Sequence, residues 1–124
     1  MRRVTLVSLA ATLLAAISFL VSAQASTATT KLTGTVGPGF SITLKKGGKM
    51  VKTLKAGKYT IVVSDKSAIH NFTLKQTKGG SFMKTLTGTV FMGTKTVTVA
   101  LKKGSWKAFC TNHPTEVVRI FSVT

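Results

Sequence analysis

Two histidines and one cysteine are the only residues of their kinds in this 124-residue chain, and their spacing suggests metal chemistry. His70 stands alone, whereas Cys110 and His113 form a Cys-x-x-His pair further along. Two imidazoles and one thiolate in a trigonal set are the donors of a mononuclear copper electron-transfer site. The thiolate suits Cu(I), and the imidazoles suit both oxidation states. These residues therefore predict one copper ion that alternates between Cu(I) and Cu(II).

Zinc is the competing interpretation, because a Cys-x-x-His pair can also form half of a zinc site. A structural zinc site takes four ligands, and the only acidic residues that could complete one are Asp65 and Glu116. A lone cysteine can also be a small buried hydrophobe. The combined pattern favours copper. The sequence offers no paired carboxylates and no nucleophile–base set, so we do not expect an enzyme.

The N-terminal segment has the pattern of a secretory signal peptide. Two arginines precede an apolar run over 4–21, and an A-x-A cleavage pattern ends at Ala25. A retained membrane anchor is the alternative, since the run is nearly long enough to span a bilayer. The prediction is a signal peptide over 1–25, a disordered leader over 26–30 and one domain over 31–124. Such a protein would be periplasmic or secreted.

The predicted mature chain is strongly basic. It has fifteen lysines, Arg119 and two acidic residues, which give a net charge of +14. A field of this sign accelerates association with acidic partners, and salt weakens the effect. The lysines alternate with apolar residues as solvated strand faces do, and no nucleic-acid-binding motif is present. We expect a monomer that interacts with an acidic redox partner protein and binds no specific nucleic acid. After cleavage of the signal peptide, we expect no membrane span.

Alternating apolar and polar residues predict strands through most of the chain. Ile42 and Leu44 alternate with polar neighbours, as do the residues of 59–63 and 94–101. Gly-Lys turns separate these runs, and 75–93 is less regular, with a loop and one edge strand expected. Short strands with frequent turns predict an all-β Greek-key sandwich of about seven or eight strands.

The strand map also predicts where the candidate ligands meet. Cys110 ends one predicted strand, His113 lies in the next loop, and His70 begins another strand. Loops cluster at the ends of a sandwich, and loops on a rigid scaffold commonly carry function. Pro114 stiffens the loop that holds His113. We therefore expect the three side chains to converge at one end of the sandwich.

Two motifs, His70-Asn71-Phe72 and Cys110-Thr111-Asn112-His113, resemble the blue (type 1) copper proteins, the plastocyanin- and azurin-like cupredoxins. The similarity includes Gly37-Pro38-Gly39-Phe40 and extends over nearly all of the predicted mature chain. It implies a cupredoxin-like domain that carries single electrons, with His70, Cys110 and His113 as equatorial copper ligands. It also implies that Asn71 supports the loop and places its backbone N–H near the sulfur, a contact that tunes the potential.

The chain departs from the cupredoxin pattern at the axial ligand. The family usually has a methionine four or five residues beyond the second histidine, where this chain has Val117 and Val118. Valine cannot ligate a metal. Three outcomes stay open: a three-coordinate copper centre with a raised potential, an axial sulfur from Met83 or Met92, or loss of electron transfer. In the last case the protein would be a copper-binding carrier, a sequestering protein or an interaction module.

Overall fold

The structure is a computed structural model that describes residues 18, 20–22 and 28–124. The predicted signal peptide and leader therefore lie mostly outside the described residues. Within the described ranges, no helix is long and apolar enough to cross a membrane. The domain predicted over 31–124 is described throughout.

Ten strands follow one another along the described chain, in agreement with the all-β prediction. They are β1 (Thr30–Val36), β2 (Ile42–Lys46), β3 (Lys49–Met50), β4 (Thr53–Leu54), β5 (Gly57–Asp65), β6 (Phe72–Lys78), β7 (Met83–Thr87), β8 (Gly93–Leu101), β9 (Gly104–Phe109) and β10 (Val118–Val123). The number exceeds seven or eight because β3 and β4 are two-residue strands.

The strands form two five-stranded sheets that pack face to face. The first has the order β3-β2-β1-β5-β8 and the second has the order β4-β10-β9-β6-β7. Both sheets are mixed, since β1 pairs with β5 and β10 pairs with β4 in parallel register. The sandwich prediction is confirmed, and the predicted edge strand within 75–93 is β7 at the margin of the second sheet.

The segment 50–54 passes from one sheet to the other. Its first part, in β3, pairs with β2, and its last part, in β4, pairs with β10. Val51 lies between them, is buried, and donates its backbone N–H to Leu44 O at 2.9 Å. In a single straight strand, Val51 and Leu54 would point to opposite faces because they are three positions apart. The change of sheet lets both side chains insert into the core.

Inward-facing side chains from both sheets make one continuous core. Its members include Leu32, Ile61 and Val63 from the first sheet and Leu74 and Trp106 from the second. Phe72 comes particularly close to the opposite sheet, because a Cβ atom at Gly34 would lie 2.8 Å from its ring. Glycine at position 34 therefore makes room for the aromatic ring that begins β6, two residues after His70.

The strand directions define two ends of the sandwich. At one end, which we call the site pole, lie the loops 37–41, 66–71, 88–92 and 110–117. The opposite end, the distal pole, carries the turn between β2 and β3, the connections β4–β5, β6–β7 and β8–β9, and the start of β1. All three candidate ligands lie at the site pole.

Candidate metal centre

The structure brings His70, Cys110 and His113 into one group. Their candidate ligand atoms all lie within 4.8 Å of one another. The two histidine Nδ1 atoms are 3.0 Å apart, and Cys110 Sγ is 3.9 Å from His113 Nδ1. His70 and Cys110 are fully buried, whereas His113 is partly exposed. The predicted convergence at one end of the sandwich is therefore what the structure shows.

The donor atoms fit a single trigonal ion. Metal–nitrogen and metal–sulfur bonds of about 2.0–2.3 Å, as measured for zinc, place three trigonal ligand atoms roughly 3.5–4 Å apart. The separation of 3.9 Å between Cys110 and His113 lies within that range, and the separation of 3.0 Å between the two histidines is shorter than the range. Two nitrogens and one thiolate sulfur are also the donor set of trigonal copper sites. The group fits copper in chemistry and in spacing.

A short turn after β5 positions His70. Ser67 Oγ accepts hydrogen bonds from the backbone N–H groups of Ile69 and His70, each at 3.2 Å. Ser67 N–H in turn donates to Asp65 Oδ1 at 3.0 Å. This arrangement is a local side-chain-to-backbone turn of the kind that serine and aspartate favour. It fixes the backbone that carries the first imidazole.

A tight loop between β9 and β10 positions the other two ligands. Cys110 N–H donates to Val117 O at 2.9 Å, and Val117 N–H donates to His113 O at 3.0 Å. His113 N–H donates to Cys110 O at 3.2 Å. These three bonds close the loop on itself, so the thiol and the second imidazole keep a fixed separation.

Comparison with known proteins identifies the architecture. No protein-family model and no curated protein matches the chain. Solved structures do match. One is described as the copper protein rusticyanin, with 16% identity, a TM-score of 0.57 and 80% of each chain covered. Rusticyanin from Thiobacillus ferrooxidans gives 16% identity and a TM-score of 0.53, covering 80% of this chain and 79% of that one.

A chain from crystal structures of two rusticyanin variants also matches, with 14% identity, a TM-score of 0.57, and 81% of this chain and 80% of that one covered. The chain has the cupredoxin fold. At these identities the likeness concerns the fold alone, so the case for a metal rests on the geometry of the site itself.

Asn71 links the two ligand loops of this cupredoxin fold. Its backbone N–H points at Cys110 Sγ, 3.4 Å away, as the family resemblance implied. Its buried side chain accepts from Thr111 N–H at 3.1 Å and from Thr73 Oγ1 at 2.9 Å. It also donates to Thr111 Oγ1 at 2.7 Å. Asn71 therefore joins the loop of His70 to the loop of Cys110 and His113.

Replacing Asn71 with alanine is expected to loosen both loops. The change removes the acceptor of Thr111 N–H and one partner of the Thr73 hydroxyl, and loss of such bonds costs about 1–3 kcal/mol in the free energy of unfolding. Loss of a group that supports ligands typically lowers metal affinity about 10–100-fold. Urea unfolding and copper titration measure the two effects.

Asn112→Ala is the matched control for this change, because the Asn112 side chain is exposed and makes one bond, to Thr89 Oγ1 at 3.1 Å. It should change neither quantity appreciably. Equal losses in the two variants would contradict the bridging role of Asn71.

Phe40 is a site residue that sequence reasoning missed. It continues the alternation of Ile42 and Leu44 in the sequence, but it lies in the loop before β2 and is 58% exposed. Its ring packs edge-to-face against His70 and His113, with centroids 5.0 and 4.9 Å apart. The signal that could have found it is its place in the Gly37-Pro38-Gly39-Phe40 motif. Phe40 covers the two imidazoles on the solvent side.

The ring of His70 is held in an unusual way. Its Nε2 atom is buried and has no hydrogen-bond partner among the described residues. The second ring nitrogen of a metal-binding histidine usually donates to a polar group that orients the ring. In this cupredoxin domain the orientation of His70 instead comes from the Ser67 turn and the edge-to-face contact with Phe40.

The structure distinguishes between the two valines at the predicted axial position. Val117 is fully buried, and so are Phe121 and Val123, which lie an even number of residues further along. Ile120, at an odd spacing, is 72% exposed. Side chains on a strand alternate between faces, so Val117 points inward and Val118 lies on the other face. Val117 is therefore the residue that occupies the interior beside the ligand loop.

Neither proposed methionine donor is buried at the site. Met83 is 53% exposed and starts β7 at the far end of the sandwich from the ligands, while Met92 is 59% exposed in the loop before β8. Phe109 lies on the face of β9 opposite Trp106 and Ala108, where it is only 5% exposed and its ring lies 4.1 Å from Lys107 Nζ. Both methionines are therefore more than half exposed, and only Met92 lies in a loop of the site pole.

Proposed function

We propose that the protein is an exported copper protein that carries single electrons between redox partners. One ion would be held by His70, Cys110 and His113 and would supply a one-electron Cu(I)/Cu(II) couple. The observation that carries the proposal is the convergence of two imidazole nitrogens and one buried thiol within 4.8 Å. The cupredoxin fold supports it, because solved structures with this fold include a protein described as a copper protein.

The residues around the group favour rapid electron transfer. Hydrogen bonds within the two ligand loops hold the donors in place, so a change of valence needs little rearrangement. Phe40 and Val117 keep water from two sides of the site, and the backbone N–H of Asn71 stabilises thiolate charge on Cys110. Valine in place of an axial thioether favours Cu(I), so we propose a three-coordinate centre with a raised potential.

The surroundings of the site suit a transient protein partner. Apolar side chains are exposed around it, including Phe40, Ile69, Val90 and Met92. Apolar surface rimmed by polar residues commonly marks an interaction site. We propose that a redox partner protein, acidic overall, docks at the site pole. We also propose that the protein acts as a monomer in the periplasm or outside the cell. In this proposal it catalyses no reaction and binds no specific nucleic acid.

The test is to add Cu(II) to the purified protein and to record the visible spectrum, the bound metal per chain and a voltammogram. Thiolate-to-copper charge transfer should give an intense band that saturates at one ion per chain, with a reversible one-electron wave. Copper binding without the band would indicate a carrier or sequestering protein. Absence of copper binding would indicate an interaction module and would refute the proposal.

A further inference from the structure

The charge of the protein is distributed very unevenly between its two poles. Both acidic residues, Asp65 and Glu116, lie at or beside the site pole. Eight of the fifteen lysines lie in or next to the elements of the distal pole, and no acidic residue accompanies them there. The eight are Lys31, Lys46, Lys49, Lys55, Lys58, Lys78, Lys102 and Lys103.

These lysines are too far from the metal group to contact a partner docked at the site pole. β5 and β8 have nine residues each and run from one pole to the other, so the poles are roughly 30 Å apart. Charges separated from a surface by more than about 8 Å are largely screened at physiological salt. A ligand recognised by this lysine cluster would therefore bind at the distal pole.

A cleft in the distal pole is lined partly by cationic and hydroxyl side chains. Its volume is about 630 Å³, and it is lined by Lys46, Lys55 and Lys58 together with the threonines at 30, 53 and 124. The three lysines are exposed, so their ammonium groups are free to approach a ligand. Cations and hydroxyl donors around one opening match the oxygens of a phosphate group.

The path of the chain indicates which phosphate-bearing partner is nearby. β1 begins at Thr30 in the distal pole, on the edge of the cleft. The apolar run 4–21 precedes it by fewer than ten residues. When this run enters a membrane during export, the distal pole is therefore the face of the domain next to the lipid headgroups.

We propose that the distal pole binds the anionic surface of a lipid bilayer. Clusters of lysines beside a membrane segment attract acidic lipids, with each lysine near the surface contributing about a fivefold gain in binding. Bound in this way, the domain presents its site pole away from the bilayer. The metal group then stays accessible to a partner while the protein is held at the membrane. The proposal is independent of copper binding.

The test uses the protein purified in its exported form, which is predicted to begin at Ser26, mixed with phosphatidylcholine vesicles that contain or lack phosphatidylglycerol. Binding should require phosphatidylglycerol and should weaken from 50 to 300 mM salt. The triple change Lys46→Gln, Lys55→Gln and Lys58→Gln should lower the partition coefficient about a hundredfold. The matched control, Lys66→Gln, Lys75→Gln and Lys95→Gln, removes the same charge elsewhere and should lower it at most about threefold.

Two further measurements separate this proposal from its competitors. A tryptophan introduced by Ala56→Trp, on the edge of the cleft, should be shielded from acrylamide by vesicles, whereas one introduced by Val90→Trp should stay accessible. Short-chain polyphosphate tests a soluble polyanion in place of lipid. The proposal is overturned if the protein binds neutral vesicles equally well, or if the two triple variants lose vesicle binding equally. It is also overturned if the Lys46, Lys55 and Lys58 variant loses binding to polyphosphate but keeps its binding to vesicles.

Discussion

Replacing Cys110 with serine is expected to abolish the intense visible absorption of the copper-loaded protein. The absorption arises from transfer of charge between a thiolate and copper, and Cys110 is the only cysteine in the chain. A serine hydroxyl is a poor ligand for Cu(I). The affinity for Cu(I) should therefore fall more than about 100-fold, which is the largest loss typical when only a group that supports a ligand is removed. Absorption spectroscopy and a competitive Cu(I) titration measure the two effects.

The fold is expected to survive the change to serine. Cys110 is fully buried and accepts a hydrogen bond from Asn71 N–H, and a serine oxygen can accept the same bond. Far-ultraviolet circular dichroism should therefore match that of the unmodified chain. Thr111→Ser is the matched control, because it keeps the hydroxyl that bonds Asn71 and should keep the band. A serine variant that retained the colour would exclude Cys110 as a ligand.

Replacing Val117 with methionine is expected to lower the reduction potential of the copper-loaded protein. A thioether at this position can supply the weak axial bond that the valine lacks, and axial donation stabilises Cu(II) relative to Cu(I). We expect a fall of at least about 59 mV, which for one electron corresponds to a tenfold change in the preference between the two states. Voltammetry measures it.

This second change should also reduce stability, because Val117 is fully buried in a packed core. Overpacking of a core by a larger side chain typically costs about 1–3 kcal/mol. Val118→Met is the control, since Val118 lies on the other face of the strand and is half-buried. Its potential should stay unchanged. If both variants shifted the potential equally, Val117 would not be the residue beside the ion.

Much of this fold follows from local patterns that the sequence displays directly. The alternation in β5 and β8 marks one buried and one exposed face, and it predicts strands because side chains on a strand point alternately to opposite sides. The turn at Gly47 and Gly48 was predictable for a related reason: both have positive φ, a conformation that glycine adopts at no steric cost. Such features depend only on near neighbours in the chain.

The path of 50–54 and the role of Phe40 could not be predicted in this way. A single run of residues that looks like one strand can be divided between two sheets, and the division depends on how those sheets pack. Phe40 continues an alternating pattern, yet its ring turns over two histidines that are distant in sequence. Contacts between remote segments leave no local periodic signal.

The sequence by itself determined the chemistry that is possible here: two imidazoles, one thiol, an all-strand domain and a large positive charge. Residue types limit which metal can be held, and alternation limits which secondary structure can form. Only the tertiary structure decided that the three donors meet within 4.8 Å, that Val117 rather than Val118 points inward, and that the lysines gather at the pole opposite the site. These relations are fixed by the packing of two sheets, which brings together residues that the chain keeps far apart.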